Sequence, residues 1–213
     1  MSQEKDKSEG KMDVILFGGS FNPPHIGHRH VITTIQTEFP QAKLYVCPNF
    51  VSPFKQKERK FTKEEIWNLC LTEFEGLLSP KVILWDEEIK QNQISYTIET
   101  LHTLQTKEPN QSLSLVIGED NLMSFQEWKS YEEILTLIRS LLVVRRFTKP
   151  PETIPCPSFI PKTKLIVLNN ALVPMSSTHI RNHTPEEWET FSLLPNTRSL
   201  LLSYREKESG MKS

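Results

Sequence analysis

The sequence predicts an α/β fold, a mostly parallel sheet with helices on both faces in a single domain, and three observations carry that reading. Short apolar runs alternate along the chain with longer segments of helical period. The runs hold four to six residues, largely branched and with little polar alternation, as strands covered on both faces require. The glycines, histidines and Asp/Asn clusters fall just after several of these runs, where an α/β sheet gathers its ligand-binding residues.

Taken in order, Val14 to Phe17 reads as the first strand and Ile26 to Phe39 as the helix after it. Leu44 to Cys47 precedes a helical segment from Lys63 to Leu78, and Val82 to Trp85 precedes one from Tyr96 to Leu104. Leu113 to Ile117 leads into a helical stretch from Leu122 to Ile138, after which Leu141 to Val144 and Leu165 to Leu168 complete the set. Right-handed crossovers between such units make the sheet Rossmann-like. Trp67, Trp85 and Trp188 are read as core residues.

Residues 1–11 carry no apolar side chain after Met1, so they are expected to form a disordered tail ahead of a domain spanning residues 12–204. A second tail is expected over residues 205–213, from Arg205 onward. Five prolines between Pro150 and Pro161 suit an exposed loop. The 213-residue length fits one domain, with two small ones as the alternative.

Composition excludes several classes. The 25 Lys and Arg against 26 Asp and Glu leave a formal charge of −1, so no global basic field points to nucleic acid or an anionic membrane. No apolar run approaches the roughly 20 residues of a membrane span, and MSQEKDKSEGK lacks a signal-peptide core. A cytoplasmic location is expected. Cys47, Cys70 and Cys156 lie too far apart in sequence for a close metal or redox motif and are read as free thiols.

Three of the seven glycines fall between positions 18 and 27, at the first strand-to-helix connection. Gly18-Gly19 is expected to turn the chain with positive φ, and Pro23-Pro24 suits a helix entry. The helix that begins there directs unpaired N–H groups and its positive dipole end toward the crevice, an anion site before any side chain is counted. His25 and His28, three apart, share a face, and Gly27 between them is expected to leave room for a ligand against the backbone. The two imidazoles suit hydrogen bonding to phosphate oxygens. His30 reads equally well as a surface residue.

The stretch GGSFNPPHIGH resembles the signature of the His-x-Gly-His nucleotidyltransferase superfamily, and in particular that of the bacterial nicotinate-nucleotide adenylyltransferases. The letters HIGH also occur in class I aminoacyl-tRNA synthetases, but the KMSKS-type loop of those enzymes is absent. Ser176-Ser177-Thr178-His179-Ile180-Arg181 resembles the second superfamily signature, with Met175 before it. Its hydroxyls can cap a short helix and donate to phosphate, and Arg181 offers a fork that matches phosphate oxygens. Gly118-Glu119-Asp120, continuing through Phe125 to Trp128, resembles the family's most discriminating segment, and Ser95-Tyr96-Thr97 resembles its Ser-Tyr-Thr.

The resemblance implies transfer of the adenylyl group of ATP to nicotinate mononucleotide, releasing pyrophosphate in a step of NAD synthesis. It implies catalytic roles for His25, His28 and Arg181. The ATP site would comprise Gly18, Gly19, Ser20, Phe21, His25, Gly27, His28, Gly118, Asp120, Ser176, Ser177, Thr178 and Arg181. The mononucleotide site would comprise Ser20, Lys55, Tyr96, Thr97, Asp120 and Trp128, the indole stacking on the pyridine ring. Magnesium would arrive with ATP rather than in a protein metal site. Arg145 and Arg146 either reach ligand or pair with surface carboxylates. Homo-oligomerisation is left open.

Overall fold

The structure, a computed structural model, describes residues 13–49, 60–91, 93–149, 151–188 and 193–210. Among these, six strands form one sheet: β1 (Asp13–Gly19), β2 (Lys43–Pro48), β3 (Val82–Leu84), β4 (Ser112–Gly118), β5 (Ile138–Val144) and β6 (Leu165–Val167). Their order is β3-β2-β1-β4-β5-β6, and each neighbouring pair is parallel. The expected Rossmann-like sheet is therefore present, with its strand order reversing between β1 and β4.

The helices are α1 (Ile26–Glu38), α2 (Lys63–Glu73), α3 (Glu87–Lys90), α4 (Thr97–Lys107), α5 (Glu119–Leu122), α6 (Tyr131–Leu137), α7 (Ser177–Asn182) and α8 (Pro195–Gly210). Alternate strand residues feed two separate cores. Ile15, Phe17, Leu44 and Val46 pack with Ile32 and Ile35 of α1, Leu69 of α2 and Leu201 of α8. Val14, Leu16, Leu115 and Leu141 pack with Leu101 and Leu104 of α4 and Ile134 of α6. This double burial explains the near-continuous apolar runs, because a strand with helices on both faces has no solvent side for polar residues.

Local chemistry sets the helix ends. Thr62 and Glu65 form a reciprocal capping box at the start of α2. Beyond its end Gly76 takes φ 78°, a left-handed position that only glycine adopts cheaply. Arg29 of α1 donates to the carbonyls of Glu73 and Glu75, tying α1 to the close of α2. The buried Glu73 carboxylate accepts from the Leu194 N–H at 3.0 Å, just before α8.

Three expectations are corrected. The stretch from Leu122 to Ile138 is not one helix: α5 ends at Leu122, a 3-10 turn covers Phe125–Glu127, and α6 starts at Tyr131, after Ser130 at φ 53°. In a continuous helix Phe125 and Trp128 would share one face. The break lets Phe125 bury completely while Trp128 stays half-buried. The proline-rich loop is not wholly exposed, since Ile154 and Ile160 sink into the second core and Phe159 packs edge-on to Tyr131. Arg205 does not begin a tail, because α8 continues to Gly210.

At the amino-terminal end of the sheet, Tyr45 is 1% exposed and its hydroxyl donates to Glu108, which also pairs with Lys43. Tyr45→Phe is expected to lower stability by about 1 to 2 kcal/mol. The readout is a shifted urea midpoint at unchanged slope, with ligand binding at the opposite end of the sheet preserved.

Candidate active site

The carboxyl ends of β1 and β4, where the strand order reverses, open into a crevice of about 890 Å³. Every candidate named from the sequence lines it except Lys55, which lies outside the described residues. Parallel pairing accounts for the gathering. Phe17 pairs with Val116 and with Val46, so the glycine ends of β1 and β4 and the Pro48-Asn49 end of β2 come out on one rim.

At the start of α1 the two histidines cap the helix reciprocally. His25 Nδ1 accepts from the Gly27 N–H at 3.1 Å, and His28 Nδ1 accepts from the His25 N–H at 3.1 Å. With both Nδ1 atoms accepting, the proton of each neutral ring sits on Nε2. The rings lie 3.9 Å apart between centroids. Burial, with the Arg146 charge adding to it, pulls the His25 imidazole from 6.5 to about 3, so the ring is neutral at physiological pH.

The glycines act differently from the expectation. Gly18 and Gly19 belong to β1 without positive φ, and the left-handed residue is Phe21 at φ 41°. Its ring, 2% exposed, folds back under Gly19, where a Cβ would stand 3.1 Å from Cζ, and meets His28 edge-on at 4.8 Å. The space beside Gly27 is filled by the His25 ring rather than left for ligand. A Cβ there would lie 2.9 Å from His25 Cε1. At Gly118 a Cβ would collide with the Asp120 carboxylate, 2.1 Å away.

The second motif closes over the first. Ser176 caps α7 through the His179 N–H, Ser177 donates to the Pro23 carbonyl at 2.8 Å, and Thr178 accepts from Arg181. Arg181 also donates to the Asn22 carbonyl at 2.6 Å, so its guanidinium braces the loop that leads into α1. The two adjacent arginines have separate roles. Arg146 faces Asp120 at 3.7 Å on the crevice, whereas Arg145 donates to the carbonyls of Thr148 and Glu152 in its own loop.

Several residues escaped the sequence reading. Glu119 accepts from the N–H groups of Arg146, Phe147 and Thr148 and from the Thr148 hydroxyl, pinning the β5 loop to the end of β4. Burial opposes its ionisation, but these hydrogen bonds prevail and lower the carboxyl pKa to about 2. Lys129 stands 4.1 Å over the Tyr96 ring and pairs with Glu99 at 2.7 Å. Glu88, buried on the crevice wall, accepts from Thr100 at 2.6 Å; burial raises its pKa while the Thr100 and Ser95 hydroxyls oppose the shift. Nothing in local sequence marks Glu88, whose partners are 7 and 12 positions away. Among the described residues no group of three or more His, Cys, Asp or Glu could hold a metal ion, and no helix is long and apolar enough to cross a membrane.

Residues 16–183 match the sequence model of the cytidylyltransferase-like family. A protein of Leptospira interrogans named "Probable nicotinate-nucleotide adenylyltransferase" is 37% identical over 170 residues, covering 78% of this chain and 82% of its own. This chain belongs to the nicotinate-nucleotide adenylyltransferase family. A Flavobacterium johnsoniae protein of the same name is 33% identical over 187 residues, covering 86% of this chain and 92% of its own. The solved Plasmodium falciparum nicotinic acid mononucleotide adenylyltransferase, complexed with NaAD, is 17% identical with a TM-score of 0.68. That likeness covers 91% of this chain and 96% of the other and shows the shared fold. Membership of the adenylyltransferase family makes the general activity of this chain that of a nucleotidyltransferase.

Two outcomes follow for this member of the adenylyltransferase family. In Gly27→Ala the added methyl meets the His25 ring, and alanine is itself a strong helix former, so the fold should persist. Turnover should fall by about tenfold to a hundredfold as the imidazole is displaced. Equal turnover would show that the ring's position is unimportant. The second concerns acid. A histidine whose folded pKa lies below its unfolded value takes up a proton on unfolding, so its stabilisation is complete above pH 6.5 and is lost as pH falls toward about 3. His25→Gln should therefore flatten the decline of Tm across that window, and an unchanged decline would assign it to other groups.

Proposed function

We propose that this protein transfers the adenylyl group of ATP to nicotinate mononucleotide, forming nicotinate adenine dinucleotide and pyrophosphate. The observation that carries the reading is the reciprocal histidine cap. It sets two imidazoles that line the crevice, each with its Nδ1 engaged in the cap, beside the N-terminus of a 13-residue helix at the switch point of the sheet. Such an arrangement suits a polyphosphate, because fixed donors and a helix dipole face the charge without needing to reorganise. The names of the relatives supply the acceptor.

In this reading a phosphate oxygen of the mononucleotide attacks the α-phosphorus in line. A P–O bond forms there as the bond to the β-phosphate bridging oxygen breaks, and pyrophosphate leaves with that electron pair. No protein nucleophile takes part. His25 and His28 donate to phosphate oxygens, and Arg181 supplies positive charge across the triphosphate while bracing the Asn22 carbonyl. Magnesium enters as part of the substrate, coordinated by ATP, and neutralises charge on the leaving group.

The Gly18 to Phe21 segment, Gly118, Asp120 and the α7 hydroxyls frame the nucleotide. Phe21 would offer backbone only, since its ring is buried. The pyridine end fits the side of the crevice where Trp128, Tyr96 and Thr97 line the wall. Trp128 packs on Phe125 at 5.1 Å while remaining partly exposed, leaving ring surface for stacking.

The test is pyrophosphate release from magnesium-ATP with nicotinate mononucleotide or nicotinamide mononucleotide in parallel. Marked preference for the acid is expected, and release with neither would overturn the proposal. Trp128→Ala should raise the KM for the mononucleotide by about tenfold through loss of stacking. The KM for ATP should stay as it was, whereas equal rises in both would assign the indole to packing.

A further inference from the structure

The short helix α7 carries Ser177 and Arg181, and two of the side chains that meet its last carbonyls, Trp188 and Arg205, come from beyond residue 183, where the family match ends. After Asn182 the chain turns away at His183 in extended conformation, so no further helical turn supplies N–H groups to the last carbonyls. Arg205 of α8 supplies donors instead. Its guanidinium donates to the carbonyl of Ile180, to that of His183 at 3.1 Å and to that of Arg181 at 3.4 Å. It also stands 4.7 Å over the Trp188 ring, whose Nε1 donates to the Ile180 carbonyl at 3.2 Å. A cation at a helix C-terminus is favoured by the helix dipole as well as by these bonds.

The other side of α7 reaches the crevice. Ser177 holds the Pro23 carbonyl and Arg181 holds the Asn22 carbonyl, immediately before the histidine cap. Helix α8 is itself fixed at its near end, by the Leu194 N–H on the Glu73 carboxylate and by Arg198 on the Pro185 carbonyl. A continuous path of hydrogen bonds thus runs from α8 through Arg205 and α7 to the loop ahead of His25.

We propose that Arg205 is a positioning residue for the nucleotide: by capping α7 it sets Arg181 and the Asn22-Pro23 turn for the triphosphate, making α8 part of the ATP site. The inference rests on the ATP-site reading above but not on the identity of the acceptor. Arg205 touches no substrate in this scheme. Its effect is therefore expected on ATP and not on the pyridine mononucleotide, a split that a purely structural role would not produce.

The experiment uses the full chain with Arg205→Met, which keeps an apolar stem against Trp188 and removes the donors, and Arg205→Lys, which retains charge and a smaller set of donors. Binding of magnesium-ATP is measured by calorimetry without any acceptor, alongside Tm and the KM for each substrate. Arg205→Met should weaken ATP binding by about tenfold to a hundredfold, as loss of a supporting shell does elsewhere. The KM for the mononucleotide should be unchanged, and Arg205→Lys should recover part of the loss. Unchanged ATP affinity in Arg205→Met, or KM values for both substrates rising together with a fall in Tm, would overturn the proposal. Should Arg205→Met fail to fold, Arg205→Lys decides, since ATP affinity equal to wild type would again overturn it. A wild-type protein that binds ATP but releases no pyrophosphate with either mononucleotide would overturn the proposed reaction alone. One that does not bind ATP would overturn both.

Discussion

At the start of α1, two of the N–H groups that a helix end leaves unpaired are donated to imidazole nitrogens, His25 N–H to His28 and Gly27 N–H to His25. One pair of hydrogen bonds does three things. It starts the helix, fixes the tautomer of both rings and sets the two imidazoles against each other at 3.9 Å. The surrounding groups comply with this geometry. Gly27 is bare because the His25 ring occupies the place of its side chain, Phe21 takes a left-handed backbone and packs under His28, and Arg181 and Ser177 brace the loop in front. Burial keeps the His25 ring uncharged, while Arg181 and Arg146 bring positive charge to the crevice wall.

The sheet makes this local device useful. Helices on both faces leave the strand ends as the natural place for polar groups, and the reversal of strand order between β1 and β4 holds the glycine ends of the two strands open to one crevice. Glu119 gives that crevice a firm wall by gathering three consecutive N–H groups of the β5 loop. With the β5 loop held, Arg146 remains beside Asp120 while Arg145 is occupied by its own loop. The adjacent positions differ in the partners they meet, a distinction that composition alone does not express.

Closure comes from the far end of the chain. Helix α7 is too short to be stable through its own hydrogen bonds, and α8 packs against α2 while Arg205 caps α7. The site is thus assembled from segments more than 150 positions apart, as the bond from Arg181 to Asn22 shows directly. That distance explains why Arg205, in the second half of α8 where only polar residues and glycine follow it to Gly210, looks from its neighbours like the beginning of a tail.

Hydrophobic patterning and rare residue types made the fold class, all six strands and the clustering of the motif residues readable in advance, because both are local properties of the chain. A buried strand must be apolar wherever it lies, and glycines and histidines concentrated at one connection mark it whatever the partners. What the patterning left undecided depends on contacts between distant segments. Periodicity suggested one helix from Leu122 to Ile138, but the need to bury Phe125 while turning Trp128 toward the crevice broke it. The pinning by Glu119, the burial of Glu88 against Thr100 and the capping by Arg205 all belong to the same class. Each is a hydrogen bond whose partner is chosen by the path of the backbone through space, and no window of neighbouring residues contains that information.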